Sequence, residues 1–255
     1  MNRAHAFCLF FCLFMLLPGC AARKGGSSHD ASSVSKTSFA QGLVDKSQTA
    51  LKHFLANDPD QGIAFLMENA AGIMIFPNVA KFGFIGSVKG GSGVACARTN
   101  RGWSYPVFSA MGGGSFGLQL GIKRGPVLIV FMSRELFDDA REGGLSFDGR
   151  GGFTIFNISE GHDTSSLVAG VDAYMFVDWE GFYAGAAVGG VAVSGRAPLN
   201  DAYYGVDNVS PEEILYEGVR TNFGANGLRE LLNGTRYEEK KKDGNHVPVL
   251  GSSMG

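Results

Sequence analysis

Residues 115–132 read SFGLQLGIKRGPVLIVFM. In the first eight, Phe116, Leu118, Leu120 and Ile122 alternate with Ser115, Gly117, Gln119 and Gly121. That period of two is the mark of a half-buried strand. Val127 to Met132 contains no polar residue, which predicts a second strand, central in its sheet. On the N-terminal side, Ile73 to Phe76 is a short apolar run ending at Pro77, and Phe82, Phe84, Gly86 and Val88 alternate with Gly83, Ile85, Ser87 and Lys89. Val94 to Thr99 and Trp103 to Phe108 flank Asn100-Arg101-Gly102, a hairpin loop. On the C-terminal side, Val171 to Trp179 alternates again, with Asp172, Tyr174, Phe176 and Asp178 on the side read as solvated. Glu180-Gly181 turns the chain into a strand over Phe182 to Val193.

Helices are predicted around these strands. Phe39, Leu43, Ala50, Leu51, Phe54 and Leu55 recur near a 3.6 period from Ser38 to Ala56. Asp58-Pro59-Asp60-Gln61 and Ser210-Pro211-Glu212-Glu213 have the residues of helix starts. Ser133 is placed to cap a helix to Arg141, and Ala225 to Leu232 is a further helix. Short connections between strands favour antiparallel pairing. The fold class is α+β: a strongly curved, mainly antiparallel, barrel-like sheet with N- and C-terminal helices packed on it.

Of 255 residues, 45% are hydrophobic and 18% charged, a globular profile. Lys+Arg 22 against Asp+Glu 24 leaves a net charge of −2, which argues against nucleic-acid binding through bulk electrostatics. The 38 glycines have no Gly-X-Y period and are interleaved with apolar residues. They read as the architecture of a tightly curved sheet.

The N-terminus reads as an address. Ala6 to Leu17 is a run of apolar residues, shorter than the ~20 residues that a span needs. Arg3 precedes it and Leu17-Pro18-Gly19-Cys20 follows. This is the form of a secretory signal peptide, and the cysteine makes it resemble a bacterial lipoprotein signal. Leu17 and Gly19 fit the processing box; Pro18 departs from the usual small residue. The resemblance implies a signal over 1–19, acylation (palmitate) at Cys20 and, with Ala21 following, transfer to the outer membrane, facing the periplasm. Residues 20–37 form the acylated N-terminus and a flexible linker, 38–235 the domain, and 236–255 a flexible tail. Cys96 alone then remains of the four cysteines, so no disulfide or cysteine zinc site is expected.

Motifs for catalysis are weak. Gly112-Gly113-Gly114-Ser115-Phe116-Gly117 satisfies G-x-G-x-x-G, but a strand follows where a dinucleotide site needs a helix. It reads as a bulge or bend at a sheet corner. His162-Asp163, with Ser165 or Ser166 as nucleophile, would be the material for a hydrolase and ranks last of the readings. No catalytic residue, cofactor or metal is expected. The basic residues Lys81, Lys89, Arg98, Arg101, Lys123 and Arg124 cluster near strand ends, and ammonium and guanidinium groups suit phosphates.

An ordered set of blocks goes further. Ile75-Phe76-Pro77, Lys81-Phe82-Gly83-Phe84, Gly90-Gly91-Ser92-Gly93-Val94, Gly102-Trp103-Ser104-Tyr105-Pro106, Gly117-Leu118-Gln119-Leu120-Gly121, Gly181-Phe182-Tyr183-Ala184-Gly185 and Tyr203-Tyr204-Gly205 occur in this order. The succession resembles the SYLF domain, over roughly Ser38 to Leu232. The resemblance implies a non-enzymatic module that binds phospholipid, phosphoinositides in eukaryotic members, through an amphipathic N-terminal helix and basic residues. Some eukaryotic members also bind actin. Here the matching helix carries Lys46 and Lys52. The expected function is thus an outer-membrane lipoprotein whose SYLF-like domain binds phospholipid or another anionic amphiphile. The expected contacts are Lys46, Lys52, Lys81, Lys89, Arg98, Lys123 and Arg124, or insertion of the Phe39/Leu43/Phe54 helix face. The alternative is a structural or adaptor lipoprotein that binds an envelope protein.

Overall fold

The computed structural model describes residues 28–83, 86–116, 119–143, 153–157, 171–179, 183–185, 188–189 and 192–238. Residues 119–131 form one strand, not two: β5 (Gln119–Phe131) runs through Gly125-Pro126. Its neighbour β1 (Gly72–Gly83) likewise passes through Pro77, where the sequence predicts an end. Phe76 pairs with Val127 and Val79 with Gly125, so Pro77 and Asn78 together stand opposite Pro126. That is a bulge. It collects both prolines, which lack an N–H to donate, at the one place where the ladder is already interrupted. On its other side the Pro126 carbonyl accepts from Asp178 N at 3.2 Å.

β2 (Gly86–Thr99) runs back antiparallel to β1, so the alternation over 82–89 straddles two strands. The hairpin predicted here forms, with Asn100-Arg101 as its loop and Gly102 already in β3 (Gly102–Trp103), but the strand expected from Trp103 to Phe108 stops at Trp103 and resumes only at Val107. Gly102 adopts φ +96 there, a conformation that suits glycine. β4 (Val107–Phe116) carries Gly112-Gly113-Gly114 in an unbroken register against Gly90-Lys89-Val88. The glycine motif is therefore regular strand, neither a nucleotide loop nor the expected bulge. β6 (Phe153–Asn157), β7 (Ala173–Val177), β8 (Tyr183–Gly185), β9 (Val188–Gly189) and β10 (Ala192–Gly195) complete the strands described.

The sheet order is β10-β4-β2-β1-β5-β7-β6, with β3 beside β2, β8 beside β5 and β9 beside β4. The pairing of β6 with β7 is parallel and the other described pairings are antiparallel. The α+β class with mainly antiparallel pairing holds. Neither the strong curvature nor the barrel-like closure does: along the described strands the sheet stays open, its path ending at β10 and β6, and the glycines do not mark a tightly curved sheet.

The reason is that the sheet buries both faces. On one face Ile73, Ile75, Val94, Cys96, Leu128 and Val130 join a core with helix residues. On the other, Met74, Phe76, Ala95, Val127, Ile129 and Phe131 join a second core. A barrel has a single interior, whereas two cores require a layer between helices. For the same reason all five residues of β7 are buried, including Tyr174 and Phe176, which alternation assigns to a solvated side.

The first face is covered by α1 (Ser28–Ala56), α2 (Gly62–Asn69), α4 (Ala197–Tyr204) and α5 (Asn226–Gly234). α1 starts ten residues before the expected Ser38. α2 starts at Gly62, and the Asp58 carboxylate caps it by accepting from Ile63 N at 2.6 Å. The second face is covered by α3 (Arg134–Glu142), whose Leu136 N donates to Ser133 Oγ as its cap, and by Val209, Ile214 and Leu215. Ile214 and Leu215 belong to a π-helical turn, Glu213–Glu217, where the capping box predicts an ordinary helix. Residues 1–27 and 239–255, with Cys20, and His162, Asp163, Ser165 and Ser166, lie outside the described residues.

Candidate functional site: a lysine row at the sheet tip

Beyond the bulge, β1 continues for five residues to Gly83. Lys81 there pairs with Lys89 of β2 on one side and Lys123 of β5 on the other. Gly113 of β4 pairs with Lys89. Residues directly opposite in a ladder share a face and lie ~5 Å apart. Three ammonium groups are therefore carried in one row across β2, β1 and β5, with a bare glycine at its flank. The row faces the same way as Val79, and so continues the face of the second core.

Two features show that the row is electrostatically loaded. The three lysines are only half-exposed. Burial, followed by the charge on Lys81, pulls the Lys89 ammonium down to about 8 from its ordinary 10.5. Like charges set opposite one another in a sheet are unfavourable on their own, and a displaced pKa such as that of Lys89 makes the row a functional-site candidate.

The opposite face of the same tip differs. Ala80 pairs with Arg124, which is exposed, and Phe82 pairs with Val88 and Ile122. Phe82 is 49% exposed. The tip thus carries a cation row on one face and an exposed aromatic ring with a guanidinium on the other.

The other expected contacts lie elsewhere. Arg98 is nine residues from Lys89 on β2, at ~30 Å along the strand. Its Nη2 donates to Met67 O at 2.6 Å and its guanidinium stacks 4.5 Å above the Trp103 ring. Arg98 therefore ties α2 to the sheet, and burial lowers its pKa. Lys46 and Lys52 are exposed on α1, but six residues place them ~120° apart around the helix. The Phe39/Leu43/Phe54 face is corrected outright: Leu43 and Phe54 are buried in the first core, and of the three only Phe39 is exposed, at 52%. The apolar stripe of α1 is occupied by the sheet and is not on offer to a bilayer. Phe82 was the residue that alternation missed. Its neighbours Gly83, Phe84 and Ile85 disguise the hairpin, and only the register identifies it as a tip.

Residues 112–235 match the family model described as Ysc84, Las17-binding protein actin regulator. The chain is 28% identical over 212 residues to SH3 domain-containing YSC84-like protein 1 of Xenopus laevis, covering 78% of this chain and 62% of that protein. It is 28% identical over 184 residues to protein YSC84 of Saccharomyces cerevisiae, covering 70% of this chain and 39% of that one. It is 26% identical over 184 residues to LAS seventeen-binding protein 3 of the same yeast, covering 70% and 40%. The chain thus spans less than two thirds of the length of these relatives. No solved structure matches it.

Proposed function

Since this chain carries a domain of the Ysc84 (SYLF) family, we propose that it binds anionic phospholipid or another anionic amphiphile, without catalysing a reaction. In this reading it works from the outer membrane, held there by acyl chains on Cys20. The observation that carries the proposal is the register that puts Lys89, Lys81 and Lys123 in one row. A phosphate headgroup seated on the row meets three ammonium groups at once. Phe82 and Arg124 on the other face give the tip a second hold at the interfacial depth. Each basic residue near an anionic surface contributes ~1 kcal/mol. Two acyl chains would supply the standing anchor, so the tip would select the lipid and not bear the whole attachment.

The test is flotation of the full chain with Cys20→Ser, which removes the acyl anchor, on vesicles of anionic or neutral phospholipid. The expected result is recovery with anionic vesicles only. Replacing Lys81, Lys89 and Lys123 by Gln should cost about 100-fold in affinity, from ~1 kcal/mol per charge. Equal recovery with anionic, neutral and no vesicles would sink the reading. Incorporation of labelled palmitate by the wild-type chain, lost on Cys20→Ser, tests the anchor separately.

A second reading, a tethered adaptor for an envelope protein, is favoured by the names of the yeast relatives, which refer to binding of Las17. It predicts capture of a protein from envelope extract by the Cys20→Ser chain, unchanged when the lysine row is neutralised.

A further inference from the structure

At the far end of β2 from the lysine row, a cavity of ≈160 Å³ opens between the β2–β3 hairpin, the π turn and α5. Two guanidinium groups, Arg101 and Arg229, line it together with Trp103, Tyr105 and Leu215, and no acidic side chain does.

The two arginines differ in what they have left to give. Arg101 Nη2 already donates to Tyr216 O at 3.1 Å and Glu217 O at 2.7 Å, closing the end of the π turn. Gly218, at φ +69, leaves room for it: a Cβ there would sit 2.9 Å from Nη2. Arg229 donates through Nε to Trp103 O at 3.1 Å, and its plane lies 4.0 Å above the Tyr105 ring. This fixes the guanidinium and leaves its two Nη groups without a carboxylate partner among the described residues. The Nη edge is the one that receives a carboxylate side-on with two parallel hydrogen bonds.

Trp103 forms a wall of the same cavity. It is 1% exposed, it lines the cavity, and its indole N–H is buried with no hydrogen-bond partner. Such donors are costly when left unmade. The hydroxyls nearby are already engaged: Thr99 Oγ1 donates to Gly102 O, and Ser104 Oγ donates to Tyr105 O. The π-helical turn Glu213–Glu217 forms one wall through Ile214 and Leu215.

We propose that this cavity binds a monocarboxylate with a short apolar substituent, its charge seated on the Nη edge of Arg229 and its substituent against the Trp103 ring. One uncommitted guanidinium matches one negative charge. The apolar walls from Leu215, Tyr105 and the indole suit a branched aliphatic group of modest size. Neither the charge nor the place is shared with the lipid row, so the two sites are independent.

The protein reports on this site itself. It has two tryptophans, and of these Trp103 alone lines the cavity. In the full chain with Trp179→Phe, Trp103 emission is the only indole signal. Titration with 3-methylbutanoate should change it saturably, whereas 3-methylbutanamide, with the same shape and no charge, should not. Arg229→Gln should weaken the carboxylate response at least tenfold. Inorganic phosphate should compete weakly or not at all. The proposal is overturned by no saturable change with the carboxylate. It is equally overturned if amide and acid respond alike, or if phosphate responds as strongly as the acid. Because the acid–amide comparison is made on one chain, it stands even if Arg229→Gln fails to fold.

Discussion

At the scale of single residues, close approach and charge set the sharpest expectations. A Cβ on Gly125 would fall on the carbonyl of Asp178, whereas one on Gly90 would meet nothing nearer than Met111 O at 3.5 Å. Gly125→Ala should therefore destabilise by at least ~2 kcal/mol, the scale of an overpacked site, while Gly90→Ala should leave the urea midpoint within error. Lys89 gives a pH dependence. With its pKa pulled to about 8, it loses its charge between pH 7 and 9. Binding to anionic vesicles should fall about fivefold over that interval, from ~1 kcal/mol per charge, and the step should vanish in Lys89→Gln. Its effect on folding has the opposite sense. The folded-state value lies below the unfolded one, so the unfolded chain holds the proton more firmly. Stability should rise as pH increases from about 8 toward ~10.4, and thermal melts of wild type and Lys89→Gln should converge at the upper end.

At the scale of elements, α1 is a packing helix. Phe54→Ala should cost ~3–5 kcal/mol by the cavity it leaves in a filled core. Phe39→Ala, half-exposed on the same helix, should stay within ~0.5 kcal/mol. Chemical denaturation of the two variants checks the contrast. This helix, α3 with its Ser133 cap and the Asn100-Arg101 hairpin were legible in the sequence, because each rests on local periodicity or on a cap within four residues. β5 was not, since Gly125-Pro126 has the composition of a break. What keeps the strand whole is Pro77, some fifty residues earlier, sharing the same bulge. α4 was passed over although Pro198 stands near its start and Gly205, at φ +67, just past its end, the usual asymmetry of helix termini. The lysine row was half legible. The residue types were visible, but that Lys81, Lys89 and Lys123 meet while Arg98 leaves for α2 depends on the register alone.

At the scale of the whole molecule, the layered arrangement separates two kinds of surface. The layered cores hold one stretch of β1, β2 and β5, and the lysine row and Phe82 lie beyond the bulge at the other. Neutralising the three lysines should accordingly leave the melting temperature unchanged or raised, while abolishing recovery on anionic vesicles. Calorimetry beside flotation reads both. Loss of both together would mean that the row is structural.

The contacts of α1 also have a direction in time. Thr37 donates to Ala202 O at 2.8 Å, Gln41 donates to Gly224 O at 2.9 Å, and the Tyr203 hydroxyl reaches Gln41 at 3.2 Å. The first helix described is thus completed by elements more than 160 residues later. Closing contacts so distant in the chain is slow. A chain emerging N-terminus first cannot finish its core until nearly all of it is available, and until then α1 waits as an amphipathic segment without its partner.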